Sequence, residues 1–223
     1  MQFIFMLTHN DRTVENVLDV YREVRDTPLQ LLGFKDVGVT RDTMRSLADL
    51  MHEDGRSVFL EVVSISQEDE LASIEAALEA GVDYILGGTH YSDVLAMIDG
   101  APVRYYPFPG TIVGHPSELQ GSIEDIAAHA KALTARPGVH GLDLLAYRHR
   151  TVDPVELTRA VVASSSGPVI AAGSVDRAER IRALRDAGAW AFTIGGAIFD
   201  GLLPGAPSLA AQIEWTLEVA TQP

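Results

Sequence analysis

The chain has 223 residues, 47% hydrophobic and 22% charged, values that suit one folded core and exclude disordered and fibrous classes. It has no cysteine, which excludes disulfides, thiolate metal sites and cysteine nucleophiles, and no apolar run near the roughly 20 residues of a membrane span, so the expected compartment is the cytoplasm. The net charge is −14, and the densest basic stretch is only Arg148-His149-Arg150, which argues against a nucleic-acid partner.

In chain order, the apolar start Met1-Gln2-Phe3-Ile4-Phe5-Met6 lacks the basic segment of a signal peptide and reads as a first strand, Phe3–Thr8. Asp11 and Thr13 then precede helical spacing at Val14, Val17, Leu18, Tyr21 and Val24. A second strand, Leu31–Lys35, leads to a helix through Met44, Leu47, Leu50 and Met51 that Gly55 ends. The third strand is Ser57–Ser64, followed by Leu71, Ile74 and Leu78 on a helix stopped at Gly81. Tyr84–Gly87 and Val103–Tyr106 are the fourth and fifth strands, and the longest loop, Pro107–Gly121, follows the fifth. Ser122 with Asp125 forms a capping pattern before Ile126, Ala130 and Leu133. Strand six, Gly141–Ala146, precedes a helix with Pro154 in its first turn. Strand seven, Val169–Ala172, leads to Ala178, Ile181 and Leu184, and strand eight, Ala191–Ile194, to Leu209, Ile213 and Leu217.

Eight such units with no Pro-, Gly- or Ser-rich linker predict one domain over 1–223, an α/β (β/α)8 TIM barrel. The alternative, an open doubly wound sheet, would be favoured by Gly-x-Gly-x-x-Gly after the first strand, where the chain reads Thr8-His9-Asn10-Asp11. A short echo between Ala80–Gly88 and Ala187–Gly196, half a chain apart, agrees with two half-barrels.

In a barrel the loops at the C-terminal strand ends hold the site. Strand seven ends in Ala172-Gly173-Ser174, and strand eight in Gly195-Gly196-Ala197. Glycine lets backbone N–H groups approach an anion, so Gly173, Ser174, Gly195 and Gly196 are candidates to hold one phosphate; the alternative is plain turn glycines. On this reading Gly195→Val blocks the anion and leaves the barrel folded. Lys35 ends strand two, placed to hold a phosphate or enolate, to form a Schiff base, or only to pair with Asp36 or Glu61. Glu61 and Asp143 are lone carboxylates in apolar strands, candidates for a general base or for buried ion pairs. His90 after strand four is a proton shuttle or a solvated loop histidine, and Arg148 after strand six is a contact for a substrate carboxylate or phosphate. His9 and His115 are weaker candidates. No histidine spacing argues for a metal, and no cofactor is expected, although a divalent ion between Glu61 and Asp143 stays open.

The stretches Val169-Ile170-Ala171-Ala172-Gly173-Ser174-Val175 and Thr193-Ile194-Gly195-Gly196-Ala197-Ile198-Phe199 resemble the ribulose-phosphate-binding barrel superfamily over the last quarter of the chain. The ending is similar to that of N-acetylmannosamine-6-phosphate epimerases, with Ala172 where those carry a glutamate. Histidine-pathway isomerases of this superfamily use an aspartate at the end of strand five, where this chain has Tyr105-Tyr106-Pro107. The resemblance implies an enzyme that acts on a phosphorylated sugar or sugar acid through an enediol or enolate, by isomerisation, epimerisation, decarboxylation or aldol cleavage. The alternative it leaves open is a non-catalytic sensor of glycerol phosphate, similar to glycerol-operon antiterminators. The expected partner is a small phosphorylated substrate; Trp190 and Trp215 serve either core packing or a homodimer.

Overall fold

A computed structural model describes residues 1–204 and 208–222; of the expected domain, 205–207 and 223 lie outside the described residues. The eight apolar runs are eight strands: β1 (Gln2–Met6), β2 (Leu31–Lys35), β3 (Ser57–Val62), β4 (Tyr84–Gly87), β5 (Arg104–Tyr106), β6 (Leu142–Leu144), β7 (Val169–Ala171) and β8 (Ala191–Ile194). All pair in parallel, in sequence order from β1 to β5 and from β6 to β8, and β8 pairs with β1. The ring nearly closes between β5 and β6, where Tyr105 bridges to Val139 and Asp143 N donates to Pro107 O at 3.1 Å. The strands read as near-continuous apolar runs because a ring of this kind buries both strand faces.

Helices return the chain outside the ring: α1 (Val17–Val24), α2 (Arg41–Glu53), α3 (Gln67–Ala80), α4 (Tyr91–Met97), α5 (Ile123–Thr134), α6 (Pro154–Ser164), α7 (Ala178–Asp186), α8 (Gly196–Phe199) and α9 (Leu209–Thr221). Thr40, Ser66, Ser122 and Ser208 accept a backbone N–H of the first turn of α2, α3, α5 and α9, and Asp153 does so for α6. Each such cap is worth about 1 kcal/mol. The lower interior is packed by Ile4, Met6, Phe59, Leu86, Tyr106 and Ile170, with Trp190 against them. Trp215 packs on the larger core between strands and helices. Above the apolar layer, at the C-terminal strand ends, the buried residues change to Lys35, Glu61 and Asp143.

Three local expectations are corrected. The segment after β1 is not a helix start but a hairpin, Thr8–His9 against Arg12–Thr13, and α1 begins only at Val17. The Pro107–Gly121 loop holds a second hairpin, Thr111–Val113 against Glu118–Gln120. Strand six is shorter than expected, and Ala146–Arg148 forms a 3-10 turn. Strands of two or three residues are too short to show an alternating pattern.

Candidate functional site

The first hairpin turns through two residues only, Asn10 and Asp11, both at positive φ (50° and 62°). A two-residue hairpin loop requires that geometry, and Asn and Asp adopt it more readily than other side-chain-bearing residues. The turn carries the Asp11 carboxylate into the barrel mouth, where it is buried. There it forms ion pairs with Lys35 Nζ and with Arg148 (2.7 Å), and accepts the Ser117 N–H at 3.3 Å. His115 Nδ1 lies 3.8 Å from it. Burial works against the Asp11 charge, but the Arg148 hydrogen bond and the two cations outweigh it and hold the carboxyl well below the usual carboxylate range. The hairpin is fastened to β2 by Thr13, whose Oγ1 donates to Lys35 O (2.7 Å) and accepts from Lys35 N (2.9 Å).

Lys35 and Glu61 are register partners on β2 and β3, and Lys35 Nζ sits 3.5 Å from Glu61 Oε2. Asp143, on β6, is fully buried and neither carboxylate oxygen has a hydrogen-bond partner. Burial, and next the negative charge of Glu61, push its carboxyl well above the usual range; Lys35 and Arg148 oppose this less strongly. The upward push favours the neutral acid form of Asp143, the form a low-dielectric interior costs least to bury.

One cavity of about 640 Å³ opens above this floor. Its walls include Lys35, Glu61, Arg148, Gly173, Ser174, Gly195 and Gly196, so seven of the nine expected site residues share it. Asp143 lies beneath the lining. His90 is not brought to the mouth: its Nδ1 is 2.7 Å from the buried Glu70 carboxylate, which also accepts the Thr89 and His90 N–H groups. His90 thus anchors the loop ahead of α4 and is not among the residues that line the cavity.

Gly173 and Ser174 both have positive φ (76° and 57°), and a Cβ on Gly173 would collide with the Arg148 side chain. Gly195 is tighter than expected, since a Cβ there would meet Thr8 O at 2.6 Å and Met6 O at 3.0 Å. The expectation that Gly195→Val leaves the barrel folded is therefore corrected. At Gly196 the nearest atom to an added Cβ is His9 Cδ2 at 3.9 Å, so that position has room. Among the described residues, every non-glycine residue at positive φ (Asn10, Asp11 and Ser174) lines this cavity. Strained backbone concentrated around one cavity is the pattern of functional sites.

The remaining wall is the second hairpin, held over the mouth by Ser117 N to Asp11 and by Arg148 donating to Ser117 O at 3.3 Å. Arg148 is thereby committed to Asp11 and the hairpin. Lys35 pairs with Asp11 and Glu61, not with Asp36, which instead accepts Val63 N at 2.9 Å and Ser73 Oγ at 2.9 Å. Asp11 and Asp200 are not among the sequence candidates; His9, a weaker candidate, pairs with Asp200 (Nε2 to Oδ1, 2.8 Å). The signal for Asp11 was present: Asn-Asp directly after a strand is a hairpin-turn pair. Among the described residues, no group of three or more His, Asp or Glu is arranged to hold a metal ion, and no helix is long and apolar enough to cross a membrane.

The chain is similar in structure to an orotidine 5'-phosphate decarboxylase from Pyrococcus horikoshii OT3, with TM-score 0.72, 12% identity and all of both chains covered. It is similar to an N-acetylmannosamine-6-phosphate 2-epimerase from Clostridium perfringens, with TM-score 0.63, 11% identity and coverage of 97% of this chain and 90% of that one. An N-(5'-phosphoribosyl)anthranilate isomerase from Pyrococcus furiosus gives TM-score 0.61 and 15% identity over 99% and 98%. No protein-family model matches the chain, and no curated protein matches it at a significant level. In fold, the chain is a (β/α)8 barrel.

Proposed function

We propose that the chain is an enzyme that acts on a phosphorylated sugar or sugar acid through an enediol or enolate intermediate. The observation that carries this reading is a single cavity that joins two glycine turns to the Lys35–Glu61 pair. Backbone N–H groups of Gly173, Ser174, Gly195 and Gly196 hold the phosphate. Glu61 lines the cavity and takes the proton from the carbon beside the carbonyl; Lys35 stabilises the oxygen that gains charge. Burial favours the protonated form of Asp143, which lies below, so it is assigned as the acid behind Glu61. An amine committed to an ion pair with Asp11 is not a free nucleophile, which favours an electrostatic role for Lys35 over a Schiff base. The scheme needs no cofactor, and a protonated Asp143 is a poor ligand for a divalent ion. The similar structures named above include proteins whose names carry a phosphate ester, which supports the substrate class.

A sensor would use the same turns but gains nothing from a buried cluster of ionisable groups, which weighs against folding; the cluster favours an enzyme. The test is incubation with sugar phosphates in D₂O, with mass spectrometry and NMR to detect deuterium beside the carbonyl or new products. Lys35→Met and Glu61→Gln are each expected to slow turnover by roughly a hundredfold or more. Turnover of a proven substrate that survives Lys35→Met, or a panel of sugar phosphates that neither bind nor react, would overturn the reading.

A further inference from the structure

The charges on the cavity wall narrow the substrate class, on the footing of the phosphate reading above. Among the described residues, the lysines and arginines that line the cavity are Lys35, Arg148 and Arg150. Each already has a carboxylate: Lys35 has Asp11 and Glu61, Arg148 has Asp11, and Arg150 has Glu118. Five carboxylates share the same wall, the three just named with Asp176 and Asp200.

The two histidines do not add a free cation. His9 Nδ1 accepts from the Asn10 amide at 3.2 Å, which leaves Nε2–H to donate to Asp200. His149 Nδ1 accepts from Thr151 N and Val152 N, both at 3.3 Å, and Nε2–H donates to Gly121 O at 2.9 Å. Both nitrogens of each ring are thereby engaged.

A phosphate on the glycine turns is thus held by neutral backbone donors: every lysine and arginine of the lining is already paired, and Arg177 and Arg180, which follow the Gly173-Ser174 turn, both pair with Asp176. A second anionic group on the same ligand has two options. It displaces a wall carboxylate from its cation and leaves that carboxylate unpaired, or it sits unpaired among five carboxylates. Both are unfavourable. Hydroxyl groups meet the opposite situation, since they donate to carboxylate oxygens; Asp176, whose Oδ1 lies 3.3 Å from Arg177 Nε and whose Oδ2 accepts from Arg180 at 3.1 Å, accepts no hydrogen bond at Oδ1. We infer that the cavity selects monophosphate esters of neutral polyhydroxy carbonyl compounds and discriminates against phosphorylated sugar acids and sugar bisphosphates.

Titration calorimetry on matched pairs tests this. The pairs are glucose 6-phosphate with 6-phosphogluconate, ribose 5-phosphate with 5-phosphoribonate, and fructose 6-phosphate with fructose 1,6-bisphosphate, with free ribose and fructose as controls. Within pairs, the neutral monophosphate is expected to bind roughly tenfold more tightly or better. Equal or tighter binding of the acids or bisphosphates overturns the inference and leaves the phosphate reading standing. Free sugars that bind as well as their phosphates, or esters that do not bind at all, overturn both. Glu118→Gln supplies a second arm at the exposed rim, where it frees Arg150. It is expected to improve the acid and bisphosphate affinities by roughly threefold or more relative to the neutral esters. An unchanged preference in that variant overturns the ion-pair explanation.

Discussion

Replacement of Asp11 by asparagine removes one negative charge and little else. Asparagine is among the residues that accept the left-handed conformation, so the hairpin turn at φ 62° is retained. What disappears is the anion between Lys35 and Arg148. Lys35 keeps Glu61 at 3.5 Å, while Arg148 is left with Ser117 O at 3.3 Å and no carboxylate. Loss of one partner from a buried ion pair costs about 3–5 kcal/mol. For a domain of this size each kcal/mol moves Tm by about 2–4 °C, so Asp11→Asn is expected to lower Tm by about 6–20 °C. Asp11→Gly, which relieves the positive φ, should be more stable than Asp11→Ala by about 1 kcal/mol. The pH dependence adds a sharper requirement. The folded Asp11 carboxyl lies below its unfolded value of about 4, so its contribution is present above that value and disappears only as pH falls through the folded one. Scanning calorimetry of wild type and Asp11→Asn should therefore show a constant gap from about pH 8 down to about pH 5. A gap under about 1 kcal/mol, or one that closes by about pH 6, would refute the assignment of Asp11 as the ionised centre of the mouth.

Three further outcomes are expected. The raised Asp143 carboxyl favours folding below its unfolded value, and that contribution is lost as pH rises toward the folded one; Asp143→Asn should therefore gain on wild type in Tm as pH rises above about 4, while activity falls. Parallel pH profiles of the two proteins would contradict this. Gly196→Val should fold and lose phosphate binding, whereas Gly195→Val should fail to give native circular dichroism; a folded Gly195→Val that still binds phosphate would place the anion elsewhere. His90→Gln should lower Tm by a few degrees and leave kcat/KM within about threefold, and a loss near a hundredfold would return His90 to the chemistry.

The barrel was legible because its signals are long and repeated. β2, β4 and β8 lie where the apolar runs put them, and Ser122, Pro154 and Gly81 mark helix ends as capping chemistry requires. The glycine turns and Lys35 were legible because strand ends in such a ring converge on one mouth. Asp11 was not, because its role depends on a two-residue turn that folds back across the strand ends, and a turn of that size has no periodicity. The same holds for Ser117, whose backbone reaches the site only through a hairpin of three-residue strands. The placement of His90 is not legible, because a histidine after a strand has the same local sequence whether it faces the mouth or a buried partner such as Glu70, which lies twenty residues earlier on α3.

The Asp11 junction also bears on how this barrel can be altered. Loops at the C-terminal face of a (β/α)8 ring ordinarily vary one at a time, which is why the architecture hosts so many chemistries. Here a single carboxylate from the connection after β1 touches the end of β2, the hairpin after β5 and the turn after β6. Those connections form one bonded unit. A graft that replaces the segment after β5 alone removes the contacts of Ser117 with Asp11 and Arg148, so transplantation of new specificity onto this scaffold has to exchange the first, fifth and sixth connections as a set.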